Sequence, residues 1–198
     1  MTVLIDYGMG NIGSVVKALA YLGETVTVTQ DPRVVLEASR VILPGVGAMA
    51  YAVRQLRERG LDDAIRRYRD LQRPFLGICL GMQLMFEKSE EGQAGGLGLL
   101  AGTVRRFPNA PGLKVPHMGW NALTDSRLDL LPERTSFYFV HSFYAAPADP
   151  SLTAAWSSHG IRFAAAVQDG PVLLTQFHPE KSGDAGLDLL RRWLTQPG

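Results

Sequence analysis

Through the first half of the chain, short apolar runs alternate with stretches whose apolar positions keep a helical period. Val3–Ile5, Thr25–Thr29, Val41–Leu43 and Phe75–Ile78 predict strands. Behind the first, Ile12, Val15, Val16, Leu19 and Leu22 follow the 3.6-residue period, with Asn11 placed to cap the helix. Asp31-Pro32 breaks the second strand, and Val34–Ala38 predicts a helical turn. Ala50–Arg59 and Leu61–Leu71 predict amphipathic helices with Gly60 as the C-cap between them, and Leu80–Phe86 predicts another behind the fourth strand. Strand and helix in alternation imply a three-layer α/β fold around a mostly parallel central sheet.

From residue 103 the rhythm changes. Thr103–Phe107, Phe137–Val140, Thr153–Ser157, Phe163–Val167 and Val172–Phe177 follow one another without long helices, which predicts antiparallel additions to the same sheet. Ser89–Gly96 reads as a polar, glycine-rich and mobile surface loop, and Val115–Asn121 as a loop whose Trp120 marks a packed surface or a partner contact. Asp184–Leu194 predicts a closing amphipathic helix. At 198 residues the whole of 1–198 is expected to form one domain.

Charge removes some classes of function. Lys plus Arg number 20 against 19 Asp plus Glu, so no global field advertises nucleic acid or an acidic membrane. No apolar run approaches the roughly 20 residues of a membrane span, and the start carries no basic leader pattern. A single cysteine excludes an internal disulfide. His117, His141 and His159 lack metal-ligand spacing and are expected to be structural or surface residues, so no metal is expected. A soluble, cytoplasmic protein with a reduced thiol follows.

That thiol is the first candidate for chemistry. A lone cysteine among apolar neighbours is ordinarily core filler. Cys79, however, falls in the turn between a strand and a helix with Gly77 and Gly81 two residues away on either side, the pattern of a nucleophile elbow. The helix N-terminus behind it would favour the reactive thiolate. Near the C-terminus, His178 and Glu180 are two apart, so an extended chain would put both on one face as a base and its orienting carboxylate. Pro44-Gly45-Val46-Gly47 ends the third strand as either an ordinary turn or an oxyanion hole. Gly8, Gly10 and Gly13 spell a dinucleotide fingerprint with Asp31 downstream, or simply a tight turn.

GICLGMQ (77–83), PGVG (44–47), HMGWN (117–121), FVHSF (139–143) and QFHPEKS (176–182) together resemble the class I glutamine amidotransferases. HMGWN with the opening DYGMGN narrows the resemblance to the glutaminase subunits of imidazole glycerol phosphate synthases, in histidine biosynthesis. The resemblance runs from the first strand to the last helix. It implies Cys79 as nucleophile, His178 as base and acid, and Glu180 as the orienter of His178. Val46 and Leu80 would give oxyanion-hole amides, and Gly47, Gln83, Ser142 and Phe143 would line a pocket for L-glutamine. Asn11, Trp120, Tyr138 and Lys181 would face a (β/α)8 cyclase subunit in a heterodimer, and no cofactor is implied. Gly8 to Gly13 would then be an interface loop. Met49 departs from the pattern, standing where an aromatic is expected. Two rivals remain: the glutaminase of another ammonia-channelling synthase, serving anthranilate or pyridoxal phosphate, and a non-catalytic nucleotide-binding module built on the glycine loop.

Overall fold

Strand and helix alternate through residue 83 in the computed structural model, which describes residues 1–92 and 95–196. The order is β1 (Thr2–Ile5), α1 (Ile12–Tyr21), β2 (Val26–Thr29), α2 (Pro32–Glu37), β3 (Arg40–Leu43), α3 (Met49–Glu58), α4 (Leu61–Asp70), β4 (Phe75–Ile78) and α5 (Leu80–Gln83). Then come β5 (Phe86–Ser89), β6 (Leu100–Arg106), β7 (His117–Ala122), β8 (Asp125–Ser126), β9 (Ser136–His141) and β10 (Phe143–Pro147). β11 (Thr153–His159), β12 (Ile161–Asp169), β13 (Val172–Thr175) and α6 (Gly183–Leu194) complete the chain, with 3₁₀ turns at Pro150–Leu152 and Pro179–Lys181.

The central sheet runs β2-β1-β3-β4-β13-β12-β11-β8. Its first five strands are parallel and the last three join antiparallel. β1, β4 and β13 are buried at every residue, as strands covered on both faces must be. Because side chains alternate, Val3 and Ile5 pack with Leu56, Ile65 and Tyr68 of α3 and α4 on one face, while Leu4 packs with Val15, Leu19, Leu190 and Trp193 of α1 and α6 on the other. The three-layer expectation holds.

Several local expectations do not. The antiparallel strands do not all extend the main sheet: β10-β6-β5 form a separate three-stranded sheet and β7-β9 a two-stranded ribbon. Residues 117–121 are therefore strand, not loop, paired His117 to His141 and Trp120 to Tyr138. The helix after Cys79 stops after one turn because the carbonyls of Leu84 and Met85 accept from the N–H groups of Leu97, Leu99 and Leu100, which draws the chain into β5. Ser89 thus belongs to a strand. Gly96 is wedged so tightly that a Cβ would lie 2.3 Å from the Phe86 carbonyl oxygen, and residues 93 and 94 of the expected mobile loop lie outside those described. Asn11 occupies the cap position of α1 without a side-chain cap bond, whereas Asp31 does cap α2, accepting from the Arg33 amide at 2.9 Å.

Candidate active site

The elbow is over-determined by its neighbours. β4 runs between β3 and β13, and at its end Cys79 adopts φ 55° and ψ −106°, a strained conformation for a residue with a side chain. Both flanking glycines are obligatory. A Cβ on Gly81 would fall 1.9 Å from the Leu43 carbonyl oxygen, and one on Gly77 would fall 2.9 Å from the Gly81 carbonyl oxygen. The Cys79 amide donates to Thr175 at 2.7 Å, fixing the turn to β13. Around the sulfur, Gln176 Nε2 approaches to 3.7 Å and the Val140 carbonyl oxygen to 4.0 Å. A four-residue α5 supplies little of the dipole expected of a longer helix, so the case for a thiolate passes to the histidine beside it.

His178 and Glu180 do meet, though not by extended geometry. The 3₁₀ turn Pro179–Lys181 follows His178 and brings Nδ1 within 2.8 Å of Glu180 Oε1, with both side chains 2% exposed. Ser182 locks the turn, its Oγ accepting from the Tyr138 amide at 2.9 Å and donating to the His178 carbonyl at 2.6 Å. Burial alone would pull the imidazole's pKa down. The adjacent Cys79 sulfur and then the Glu180 carboxylate outweigh that and push it up to about 10. The other ring nitrogen, Nε2, is buried with no hydrogen-bond partner among the described residues, which leaves it free for proton transfer at the sulfur.

Cys79 opens on a cavity of about 380 Å³, and Val46, Gly47, Leu80, Gln83, Ser142 and Phe143 all line it. Gln83 turns its Nε2 away, donating to the Phe143 carbonyl at 2.9 Å and to Gln176 Oε1 at 3.0 Å. Four wall residues escaped the sequence reading: Glu91, Pro116, Val140 and His141. None carries a spacing that would betray it. Glu91 is the only carboxylate on the wall among the described residues, and its Oε2 accepts from the Met49 amide at 2.9 Å. Met49 itself is fully buried in the core, so the departure from an aromatic is absorbed by packing.

The two amides expected to hold an oxyanion are not presented together. Leu80 N–H donates to the Gly45 carbonyl at 3.3 Å. In a planar trans peptide the C=O of Gly45 and the N–H of Val46 point in opposite directions, so the same bond turns the Val46 amide away. Rotating that one peptide by half a turn would free Leu80 and bring Val46 N–H inward. The rotation is taken up by ψ of Gly45 and φ of Val46, and glycine at 45 leaves the first of these freer than any other residue would. Gly8 to Gly13 packs against this turn: a Cβ on Gly10 would lie 3.5 Å from Pro44 Cγ, and one on Gly47 would lie 2.7 Å from Met9 Cε. The glycine loop is thereby occupied by protein, and Asp31 by Arg33.

The four residues expected at a partner interface cluster around one side. Trp120 is 59% exposed and meets Tyr138 edge-on at 6.2 Å, and Met118, two residues along β7, is exposed as well. The Tyr138 carbonyl accepts from the His178 amide at 2.9 Å, Lys181 is exposed on the 3₁₀ turn, and α1, which Asn11 begins, packs on that turn. Among the described residues no group of three or more His, Cys, Asp or Glu could hold a metal, and no helix is long and apolar enough to cross a membrane.

The family model of class-I glutamine amidotransferases matches residues 3–196. The imidazole glycerol phosphate synthase subunit HisH of Aromatoleum aromaticum is 47% identical over 205 residues, covering 97% of this chain and 96% of the relative. Its counterpart in Methylococcus capsulatus is 51% identical over 205 residues, covering 96% and 94%. Among solved structures, a glutamine amidotransferase at 22% identity superposes with a TM-score of 0.75 over 97% of this chain and 96% of its own. PurLQS from Thermotoga maritima, at 18% identity, gives 0.71 over 98% and 96%, a likeness of fold.

Proposed function

The chain belongs to the class I glutamine amidotransferase family, and from that premise we propose that it is the glutaminase subunit of an imidazole glycerol phosphate synthase, releasing ammonia from L-glutamine for a cyclase partner in histidine biosynthesis. The observation that carries the reading is a strained cysteine on a cavity wall beside a buried imidazole paired with a buried carboxylate. Cys79 Sγ attacks the side-chain amide carbon, and the C=O electron pair moves to oxygen. Once the Gly45–Val46 peptide has turned, the amides of Val46 and Leu80 hold that oxyanion. His178 gives its proton to the amide nitrogen, the C–N bond breaks and ammonia leaves. The imidazole then takes a proton from water, the hydroxide attacks the thioester, and glutamate departs as sulfur is restored. Glutamine and water thus become glutamate and ammonia.

Glu180 holds the imidazolium that forms along this path. Glu91, a carboxylate on the wall, suits the substrate's α-ammonium, and Gly47, Gln83, Ser142 and Phe143 shape the rest of the pocket. The exposed pair Trp120 and Met118, with Tyr138, Lys181 and Asn11 around it, is the face offered to the cyclase. A cytoplasmic setting suits a catalytic free thiol.

Because the resting turn withholds both oxyanion donors, the lone chain should hydrolyse glutamine slowly and the loaded synthase should not. Glutamate release is to be measured for the chain alone, with empty cyclase, and with cyclase plus its nucleotide substrate. Each such donor is worth about 10²- to 10³-fold, so the third arm should gain at least that much. Equal, easily measured rates in all three would refute gating, and no glutamate in any arm would refute the glutaminase itself.

A further inference from the structure

Two histidines that hydrolysis does not use stand at the cavity, His141 on its wall and His117 behind it. His141 lines the cavity, and its Nδ1 lies 2.7 Å from the Phe143 carbonyl oxygen. A carbonyl can only accept, so the proton is on Nδ1 and Nε2 is a lone pair. His117 Nδ1 lies 3.0 Å from that Nε2 and must therefore donate to it. This leaves His117 Nε2 as an acceptor, 3.2 Å from Asn121 Nδ2. The Asn121 amide is itself fixed: Nδ2 also donates to the Ser158 carbonyl at 2.8 Å, and Oδ1 accepts from the Ala122 amide at 2.9 Å. Every group in the row has one consistent role, and both imidazoles are neutral. A proton added to either ring would force an N–H against another N–H somewhere along the row.

We propose that His141, His117 and Asn121 are positioning residues for the glutamine pocket, a neutral hydrogen-bonded row that pins the Ser142–Phe143 wall and ties it to β7. The proposal rests on the glutaminase reading for the identity of the ligand. The Phe143 carbonyl is held from two directions, by His141 and by Gln83. The Ser142 carbonyl accepts from the amide of Phe107, whose ring packs against His141 at 5.1 Å and His117 at 6.2 Å. The wall is thus anchored at two successive carbonyls to one cluster. The far end of the row, Asn121, adjoins the exposed Trp120, so a partner seated on β7 would press on the same strand that sets the pocket.

Nothing around the row invites a charge. The ionisable groups facing it are His159, stacked on His117 at 4.2 Å with its Nε2 on the Lys114 carbonyl, and His178 beyond His141. Any charge these carried would be positive. Burial, reinforced by them, lowers His117 to about 4 and His141 to about 3.

The test uses the full chain carrying Cys79→Ser, so that L-glutamine binds without turnover, with calorimetry as readout. His141→Asn keeps a donor near the Nδ1 position and loses the link to His117, whereas His141→Leu loses both. Leaving a buried carbonyl short of its donor should weaken glutamine binding about tenfold in the Leu variant, and the Asn variant should recover to within about threefold. Equal affinities for all three proteins would overturn the proposal, and so would equal losses for Leu and Asn. Failure of the Cys79→Ser chain itself to bind L-glutamine would instead strike the glutaminase reading. Long-range ¹H–¹⁵N spectra of the wild-type chain read the row without any variant. Both rings should show the neutral Nδ1–H tautomer from about pH 8 to about pH 5, and an Nε2–H signal or a titration near 6.5 at either would overturn it.

Discussion

His178 and His141 are two imidazoles at one site, both almost fully buried, and they are driven in opposite directions. His178 faces a thiol and a carboxylate and is pushed up to about 10, whereas His141 faces other imidazoles and a carbonyl and is lowered to about 3. Burial is common to both and cannot explain the difference. What decides it is the company: two groups that can carry negative charge on one side, none on the other. One wall can hold a proton for chemistry, and the other holds its shape by refusing one.

The largest effect should come from removing the sulfur. Cys79→Ser takes away the nucleophile and also the first of the two influences that raise His178. Glutamine hydrolysis should fall on the order of 10⁴-fold or more, while thermal unfolding stays close to wild type. His178 should titrate below about 10 in the same protein, seen by NMR. An unchanged titration would mean that Glu180 alone sets the difference between the two walls.

Glu180→Gln tests the other half of that company. The amide keeps the shape and one polar contact with Nδ1 but removes the charge that stabilises imidazolium as it forms. Turnover should drop about 10³- to 10⁴-fold with little change in KM, because the ground state uses the carboxylate less than the transition state does. A raised KM with intact kcat would assign Glu180 to substrate binding.

The two walls were also unequally legible in the sequence. Gly77, Cys79 and Gly81 announce an elbow because each glycine answers a local steric demand, and His178 and Glu180 are close in sequence. Their contact was foreseen for a mistaken reason, since a 3₁₀ turn and not a strand joins them. Of the four parallel strands before Cys79, β1, β3 and β4 were readable as buried apolar runs, and β2 by its alternating β-branched residues. The opposite wall depends on pairings across long separations. His117 and His141 are 24 residues apart, and only the β7-β9 register sets them face to face. The one-turn α5 and the placement of Glu91 in the wall likewise depend on where residues 97–100 return to the chain, which no local periodicity encodes.

The smallest effect concerns acid. His117 and His141 have folded pKa values of about 4 and about 3, below the ordinary 6.5. As pH falls below 6.5 the unfolded chain takes up protons at both positions and the folded chain does not, so the folded state loses stability until the pH reaches those lower values. Well above 6.5 neither form gains, and the contribution of the pair is fully present. The loss should be on the order of 1 kcal/mol for each histidine over the unit below 6.5, read from urea midpoints at about pH 7.5 and pH 5.5. Exposed carboxylates such as Asp31 and Asp149, held below their usual range by Arg33 and Ser151, titrate lower still and contribute little in that interval. His117→Phe removes one of the two proton acceptors while keeping a flat ring against Phe139 and His159. Its stability should fall less steeply between the two pH values than that of the wild type. His178, held up at about 10, is already protonated in the folded state while the unfolded chain gains that proton only near 6.5, so it offsets part of the loss in both proteins. The difference between the two is therefore the reading, and equal slopes for wild type and His117→Phe would mean that the second wall accepts protons as readily as water does, and the contrast between the two histidines would collapse.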